Sequence, residues 1–310
     1  MSATLHPLCI CKLGGAAITV KDSPKPQLRP DVLALCAQHC VQCPGPCIVV
    51  HGAGSFGHGQ AKHGGVAFGT VLDKASPTLP HSLAMGVANT RAAVTALNVH
   101  VVDALVREGS AAVGLPPFAS GWTAHGKKLD ADGCHMVSQC LEAGLVPVLH
   151  GDVVWDDLQG CCVLSGDTVV RRLAEVFRPD HVTFLTNVAG VYDRPPEEPG
   201  SRLLRLIGCL PDGTWRAADA TDAPMMAGSV HDTTGGMAGK VAEAVQVAVC
   251  GVPVLIAEAG SPSAAMALSL NMHQVVEAIG TLDREGTPKW RGTVVMRMDT
   301  AHWQRLHHSA

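Results

Sequence analysis

The apolar run Cys47-Ile48-Val49-Val50 breaks directly into His51-Gly52-Ala53-Gly54-Ser55-Phe56-Gly57-His58. A buried strand that ends in so glycine-rich a turn brings its backbone close to whatever binds there, because glycine reaches positive φ and carries no Cβ. Converging N–H groups in such a turn form an anion site, most often for phosphate. His58 adds a side-chain hydrogen-bond donor for an anionic ligand. One turn of this kind carries little by itself. The same theme returns elsewhere along the chain.

Between these turns, short β-rich runs alternate with helical stretches. That pattern predicts an α/β fold, with a mainly parallel central sheet sandwiched by helices. Strands are expected at 8–13, 47–51, 146–150, 181–186 and 253–257. The clearest helix is expected over 82–108, where Leu83, Val87, Val94, Leu97, Val101 and Leu105 recur at three- and four-residue spacing. Gly109 supplies its stop. Further helices are expected over 132–143, 167–177 and 241–249. Arg178-Pro179-Asp180 interrupts the pattern and predicts a boundary between lobes 1–178 and 179–310 of one continuous domain. Residues 194–200 and 211–229 read as irregular excursions, the second a candidate flap.

Composition removes several function classes. With 47% hydrophobic and 16% charged residues and a formal net charge of −4 over 310 residues, the chain reads as globular and lacks the basic excess of a nucleic-acid binder. No apolar run approaches the roughly 18–20 residues of a membrane span. Residues 1–10 lack the basic region and apolar core of a signal peptide, so a cytoplasmic location is expected. The twelve cysteines are scattered through apolar segments of a long chain and read as reduced, small core residues. The spacing of Cys36, His39, Cys40, Cys43 and Cys47 could supply zinc ligands. Against that, no second paired cluster exists and Cys47 opens a strand, so no metal site is assigned.

Further turns along the chain carry phosphate-type chemistry. Lys12-Leu13-Gly14-Gly15-Ala16 follows the first expected strand, and Lys21 follows shortly after. The order is not that of a P-loop, and a plain strand-to-helix turn explains it when taken alone. His150-Gly151-Asp152 ends another strand. Ser165-Gly166-Asp167-Thr168 opens a helix with either Ser165 or Asp167 as its cap, and Asp167 could instead anchor lysines by charge-assisted hydrogen bonds. Asn187 to Tyr192 makes a turn after the 181–186 strand that either cradles a nucleoside or merely connects. Thr233-Thr234-Gly235-Gly236 leads into a helix with Lys240 one turn in, which suits a polyphosphate. Ligands of open α/β sheets gather at the carboxyl ends of the strands, so these loops are expected to share one crevice.

In this order, Lys12-x-Gly14-Gly15, Ile18-Thr19-x-Lys21, the turn ending at His58, Gly151-Asp152, Ser165-Gly166-Asp167, Thr186-Asn187-Val188-x-Gly190-Val191-Tyr192 and Thr234-Gly235-Gly236-Met237-x-x-Lys240 resemble the amino acid kinase superfamily. The Gly54-Ser55-Phe56-Gly57-His58 ending resembles its isopentenyl phosphate kinases. The resemblance runs from about Cys9 to Val295. Two positions depart from the family pattern, Ala16 where serine is common and Ala189 where aspartate is frequent.

The resemblance implies a phosphotransferase that uses ATP and Mg²⁺ and forms a homodimer. Its N-terminal lobe would bind a phosphate-bearing small-molecule acceptor and its C-terminal lobe ATP. It implies that His58 binds the acceptor phosphate beside Ala53, Gly54 and Gly151. Lys12 and Lys21 would bridge the transferring group, with Lys21 the main stabiliser of the transition state. Asp167 would orient Lys12 and Lys240, while Lys240, Gly235 and Gly236 hold the ATP phosphates. Gly14, Gly15, Ala16, Gly54, Asn187 and Tyr192 complete the implied nucleotide contacts. A fosfomycin-type phosphonate kinase and a non-catalytic ATP-binding regulator on the same fold are the competing expectations. Retention of Lys12, Lys21, Asp167 and Lys240 speaks against the regulator.

Overall fold

The structure, a computed structural model, describes residues 9–20, 23, 25–71, 78–218, 237–279, 281–282 and 288–307, with backbone alone at 237–240 and 306–307. In chain order come β1 (Cys9–Leu13), α1 (Gly15–Ile18), α2 (Pro30–Val41), β2 (Cys47–His51), α3 (Gly54–His63), α4 (His81–Arg107), β3 (Ala112–Gly114), β4 (Thr123–His125) and β5 (Lys128–Ala131). Next are α5 (Cys134–Glu142), β6 (Val146–His150), β7 (Asp152–Asp156), β8 (Gly160–Leu164), α6 (Gly166–Phe177), β9 (His181–Thr186), β10 (Val191–Tyr192), β11 (Leu203–Leu204), β12 (Leu206–Cys209) and β13 (Trp215–Ala217). The last described elements are α7 (Met237–Val249), β14 (Val254–Glu258), α8 (Pro262–Ser269), α9 (Met272–Ile279), β15 (Gly292–Arg297) and α10 (Ala301–His307).

Nine strands form one sheet in the order β13-β12-β15-β14-β9-β1-β2-β6-β3 among the described residues. Its centre, from β14 through β9, β1, β2 and β6 to β3, is parallel, and the antiparallel pairings β14–β15 and β12–β13 lie toward one end. A parallel sheet is covered on both faces, so its strands must be apolar on both sides. Every residue of β2 and β9 is buried, and β1 is buried except at Lys12. Two cores result. Ile10, Ile48, Val50 and Phe184 pack with α5, α6 and α7 on one face, while Cys9, Cys11, Leu13 and Val49 pack with α2, α4, α8 and α9 on the other.

The central strands and the helix at 81–107 lie where the sequence places them. Gly109 and Gly144, which end α4 and α5, both adopt positive φ. Two features depart from expectation. Residues 152–164, read only as turns around a helix start, form the hairpin β7–β8 of a second sheet ordered β5-β4-β7-β8. The expected irregular loop at 211–229 contains β13, which pairs with β12 at the sheet edge, and its remainder from 219 lies outside the described residues. These three strands span five residues or fewer, and pairing with neighbours outweighs their weak local pattern.

Candidate active site

Strand alternation decides where Lys12 points. It shares a face of β1 with Ile10, the face covered by α6 and α7. Its register partner on β9 is Phe184, and Lys12 Nζ lies 4.6 Å from that ring's centroid. The Asp167 carboxylate forms an ion pair with Lys12 from α6, and Nζ donates a hydrogen bond of 3.0 Å to Glu243 Oε2 on α7. Burial pushes the Lys12 pKa down, while the charge and hydrogen bond of Glu243 oppose that fall. Ser165, not Asp167, caps α6, its hydroxyl accepting from Thr168 N at 3.1 Å. That leaves the Asp167 side chain to serve Lys12.

The glycine turns at the ends of β1 and β2 interlock. A Cβ on Gly15 would lie 2.7 Å from Gly54 Cα, and one on Gly52 would lie 2.8 Å from Gly15 N. Gly54 has φ +50, so it needs the freedom of glycine as well as the space. The N–H groups of Gly14, Gly52 and Gly151 do not point freely at a ligand, as the sequence suggested. They donate to Leu185 O, Leu13 O and His51 O at 2.8, 2.9 and 3.1 Å, tying neighbouring strand ends together. In the first turn of α3, Ser55 N donates to Thr19 Oγ1 at 3.0 Å and Phe56 N to Ala53 O at 3.1 Å, and in that of α6 Thr168 N donates to Ser165 Oγ; the first-turn donors that remain for an anion are the N–H groups of Gly54, Gly166 and Asp167.

A cavity of 220 Å³ lies among these elements, lined by Lys12, Gly14, Gly15 and Ala16 after β1, Ala53, Gly54 and His58 after β2, and Gly151, Gly166 and Asp167. A second cavity of 690 Å³ opens between α3 and α4, where Ser55, His63, Met85 and Asn89 line it. His58, Ala16 and Gly54 border both, so exposed His58 stands at the junction. Below the turns the rings of His51 and His150, register partners on β2 and β6, stack at 5.2 Å. Burial, then the neighbouring His150, pushes His51 down to about 3, and burial lowers His150 as well. Asn98 Nδ2 donates to His51 Nε2 at 3.1 Å, which leaves His51 Nδ1–H to donate to Gly52 O.

The fold therefore brings together Lys12, Asp167, His58, Ala53, Gly54, Gly14, Gly15, Ala16 and Gly151. Exposed Asn187 follows β9, and Tyr192 sits on β10 against β11; neither lines the two cavities. Lys21, Gly235 and Gly236 lie outside the described residues, and Lys240 is placed as backbone on α7. Two participants were missed from sequence. Glu243 was detectable as the residue one helical turn beyond Lys240. Asp152 was read only as the end of a strand. It is buried and accepts from Arg91 Nε at 3.2 Å and from Phe118 N at 3.1 Å, contacts with no local sequence signal.

A cavity at strand ends that holds a lysine between two carboxylates suits phosphoryl transfer. The family model described as the amino acid kinase family matches residues 7–258. The chain belongs to the amino acid kinase family. This kinase is 40% identical over 256 residues to an isopentenyl phosphate kinase of Arabidopsis thaliana, covering 80% of this chain and 72% of that one. It is 36% identical over 259 residues to an isopentenyl phosphate kinase of Methanothermobacter thermautotrophicus, covering 82% and 92%. A solved isopentenyl phosphate kinase superposes with TM-score 0.69 at 30% identity, covering 92% of this kinase and 99% of that chain. A product complex of the T. acidophilum enzyme shares the fold at TM-score 0.66 and 23% identity, over 93% and 99% of the two chains. Among the described residues no helix is long and apolar enough to cross a membrane.

Proposed function

We propose that this kinase transfers the γ-phosphoryl group of ATP to isopentenyl phosphate, forming isopentenyl diphosphate. The observation that carries the reading is the place of His58, between the small cavity holding Lys12 and a 690 Å³ cavity within the usual range for small-molecule sites. An acceptor phosphate on His58 and the α3 N-terminus would face Lys12, with its short alkyl tail in the larger space beside Met85. Both the relatives' activity and their coverage of most of this chain support it.

Such an acceptor needs no general base, since a phosphate monoester with a second pKa of about 6 is already an anion at neutral pH. Positioning and charge neutralisation then provide most of the catalysis. His58 orients the acceptor. Lys12 and Lys21 bridge the transferring group, and Asp167 holds Lys12 in place. Lys240 and the Gly235-Gly236 turn hold the ATP phosphates, with Asn187 and Tyr192 toward the nucleoside. Mg²⁺, when bound with ATP, neutralises phosphate charge. The nearby carboxylates Asp167 and Glu243 are both engaged by Lys12, which fits an ion resting mainly on phosphate oxygens and water. Residues up to 178 serve the acceptor and those beyond it the nucleotide, in a cytoplasmic homodimer.

ADP release with Mg-ATP tests the reading, with isopentenyl phosphate, fosfomycin and no acceptor run side by side. Saturable turnover with isopentenyl phosphate alone supports it. Turnover with fosfomycin alone replaces the acceptor, and ATP binding without any turnover leaves a regulator.

A further inference from the structure

Helices α3 and α4 cross at close quarters beside the small cavity. A Cβ on Gly57 would lie 2.8 Å from Val94 Cγ1, and one on Gly64 would lie 2.5 Å from Gly86 Cα, so glycine sets how near the two helices come. Gly86, Thr90 and Val94 recur at four-residue spacing and share one face of α4. Thr90 is thus the residue between the two crossings. The next residue, Arg91, donates from Nε to buried Asp152 Oδ1 at 3.2 Å, and its guanidinium lies 4.2 Å from the centroid of the Phe118 ring. These contacts hold α4 in register against the start of β7.

Thr90 lines the 220 Å³ cavity together with Lys12 and His58. It is only 3% exposed, and its Oγ1 has no hydrogen-bond partner among the described residues. A helical threonine commonly satisfies its hydroxyl on the carbonyl one turn back. Here that carbonyl is Gly86 O, and the bond is not made. Of the side chains sharing the cavity, Ala61, Val94 and Val153 carry no polar atom, while the carboxylates of Asp152 and Asp167 are taken by Arg91 and Lys12. A buried hydroxyl left unpaired costs stability, so it calls for a partner that the protein does not supply. Its position names that partner. Gly86 and Asn89, which flank Thr90 on α4, line the 690 Å³ cavity, and His58 borders both spaces. Thr90 therefore stands where one cavity passes into the other.

We propose that Thr90 is a specificity residue for the acceptor, its hydroxyl donating to the ester oxygen that joins phosphate to alkyl chain. This role rests on the isopentenyl phosphate reading above. With the phosphate on His58 and the chain in the larger cavity, the ester oxygen is the atom that crosses between them. The non-bridging oxygens are met by His58, Lys12 and the Gly54 N–H, which leaves the bridging oxygen to Thr90. A phosphonate carries carbon at that place and cannot accept the bond. Thr90 thereby separates phosphate monoesters from phosphonates of the same shape, two classes that the other phosphate-binding groups treat alike.

The test measures Kd by titration calorimetry on the full-length protein without ATP. Its two ligands are isopentenyl phosphate and the analogue in which a methylene replaces the ester oxygen, at a pH where both are dianions. Thr90→Val, of nearly the same shape, should weaken isopentenyl phosphate by about 2- to 12-fold, the worth of one neutral hydrogen bond, and leave the analogue unchanged. Thr90→Ser should restore the preference for the ester. Because the lost hydroxyl had no internal partner, Thr90→Val should also unfold at no lower urea concentration than the wild type. Equal weakening of both ligands, an unchanged Kd for isopentenyl phosphate, or a lowered urea midpoint would each overturn the role of Thr90. A wild type that binds neither ligand and releases no ADP with isopentenyl phosphate would instead remove the acceptor reading, and this role with it.

Discussion

Lys12 Nζ, at the end of the central strand, donates a 3.0 Å hydrogen bond to Glu243 on α7 while also pairing with Asp167 on α6. Two helices on one face of the sheet thus fix one strand lysine. The arrangement keeps a buried cation charged against the desolvation that lowers its pKa. Because Glu243 raises the Lys12 pKa, Glu243→Gln should lower it further. The alkaline limb of the kcat/KM profile should then move to lower pH, with a loss of about tenfold at neutral pH, or roughly 1.4 kcal/mol. An unshifted alkaline limb in a folded variant would remove Glu243 from this role.

Lys12→Ala and Lys21→Ala should each lower kcat by about two to four orders of magnitude, as expected when a group meeting transition-state charge is lost. For Lys12→Ala, the carboxylates left behind at Asp167 and Glu243 should also reduce stability, since their buried cation is gone. Single-turnover kinetics beside denaturant titration would separate the two effects. Unchanged turnover in Lys21→Ala would end its assigned part in transfer.

His58 is exposed and lies at the junction of the two cavities. His58→Ala should therefore leave stability within about 0.5 kcal/mol, as for most surface substitutions. Loss of a hydrogen bond to a charged acceptor costs about 1.5–3 kcal/mol, so the KM for isopentenyl phosphate should rise by roughly 10- to 150-fold. The KM for ATP should hardly move. Steady-state kinetics with each substrate varied in turn decide it, and an equal rise in both constants would contradict the acceptor role.

Gly54→Ala should destabilise the fold by about 2 kcal/mol or more, since both strain at positive φ and overpacking act there. Its Cβ would meet Thr19 and would lie 2.8 Å from Gly15 O. Gly59, on the same helix with nothing near its would-be Cβ, is the control. Gly59→Ala should be neutral to slightly stabilising in urea titration.

The stacked pair His51 and His150, together with His181, is buried and neutral, each pushed below 6.5 chiefly by burial. The unfolded chain takes up these protons first as pH falls. Stability should thus be complete above about pH 6.5 and decline below it, by about 1 kcal/mol per histidine for one pH unit, continuing toward about 3 for His51. Urea titrations at pH 7 and pH 5.5 measure the slope. A flat profile would mean that other groups compensate for the pair.

Much of this protein was fixed by local patterns. Apolar runs at 47–51, 146–150 and 181–186 could only be strands covered on both faces, and the glycines that follow the first two mark tight turns at strand ends. Lys12, His58 and Asp167 were legible because each sits at a fixed offset from such a turn. Tertiary structure decided what offsets cannot encode. It paired Lys12 with Glu243 across 231 residues and buried Asp152 against Arg91. It engaged the N–H groups of Gly14, Gly52 and Gly151 in neighbouring strand ends. These contacts join residues from separate elements. Their partners are set by which strand lies beside which, and by which face each helix covers.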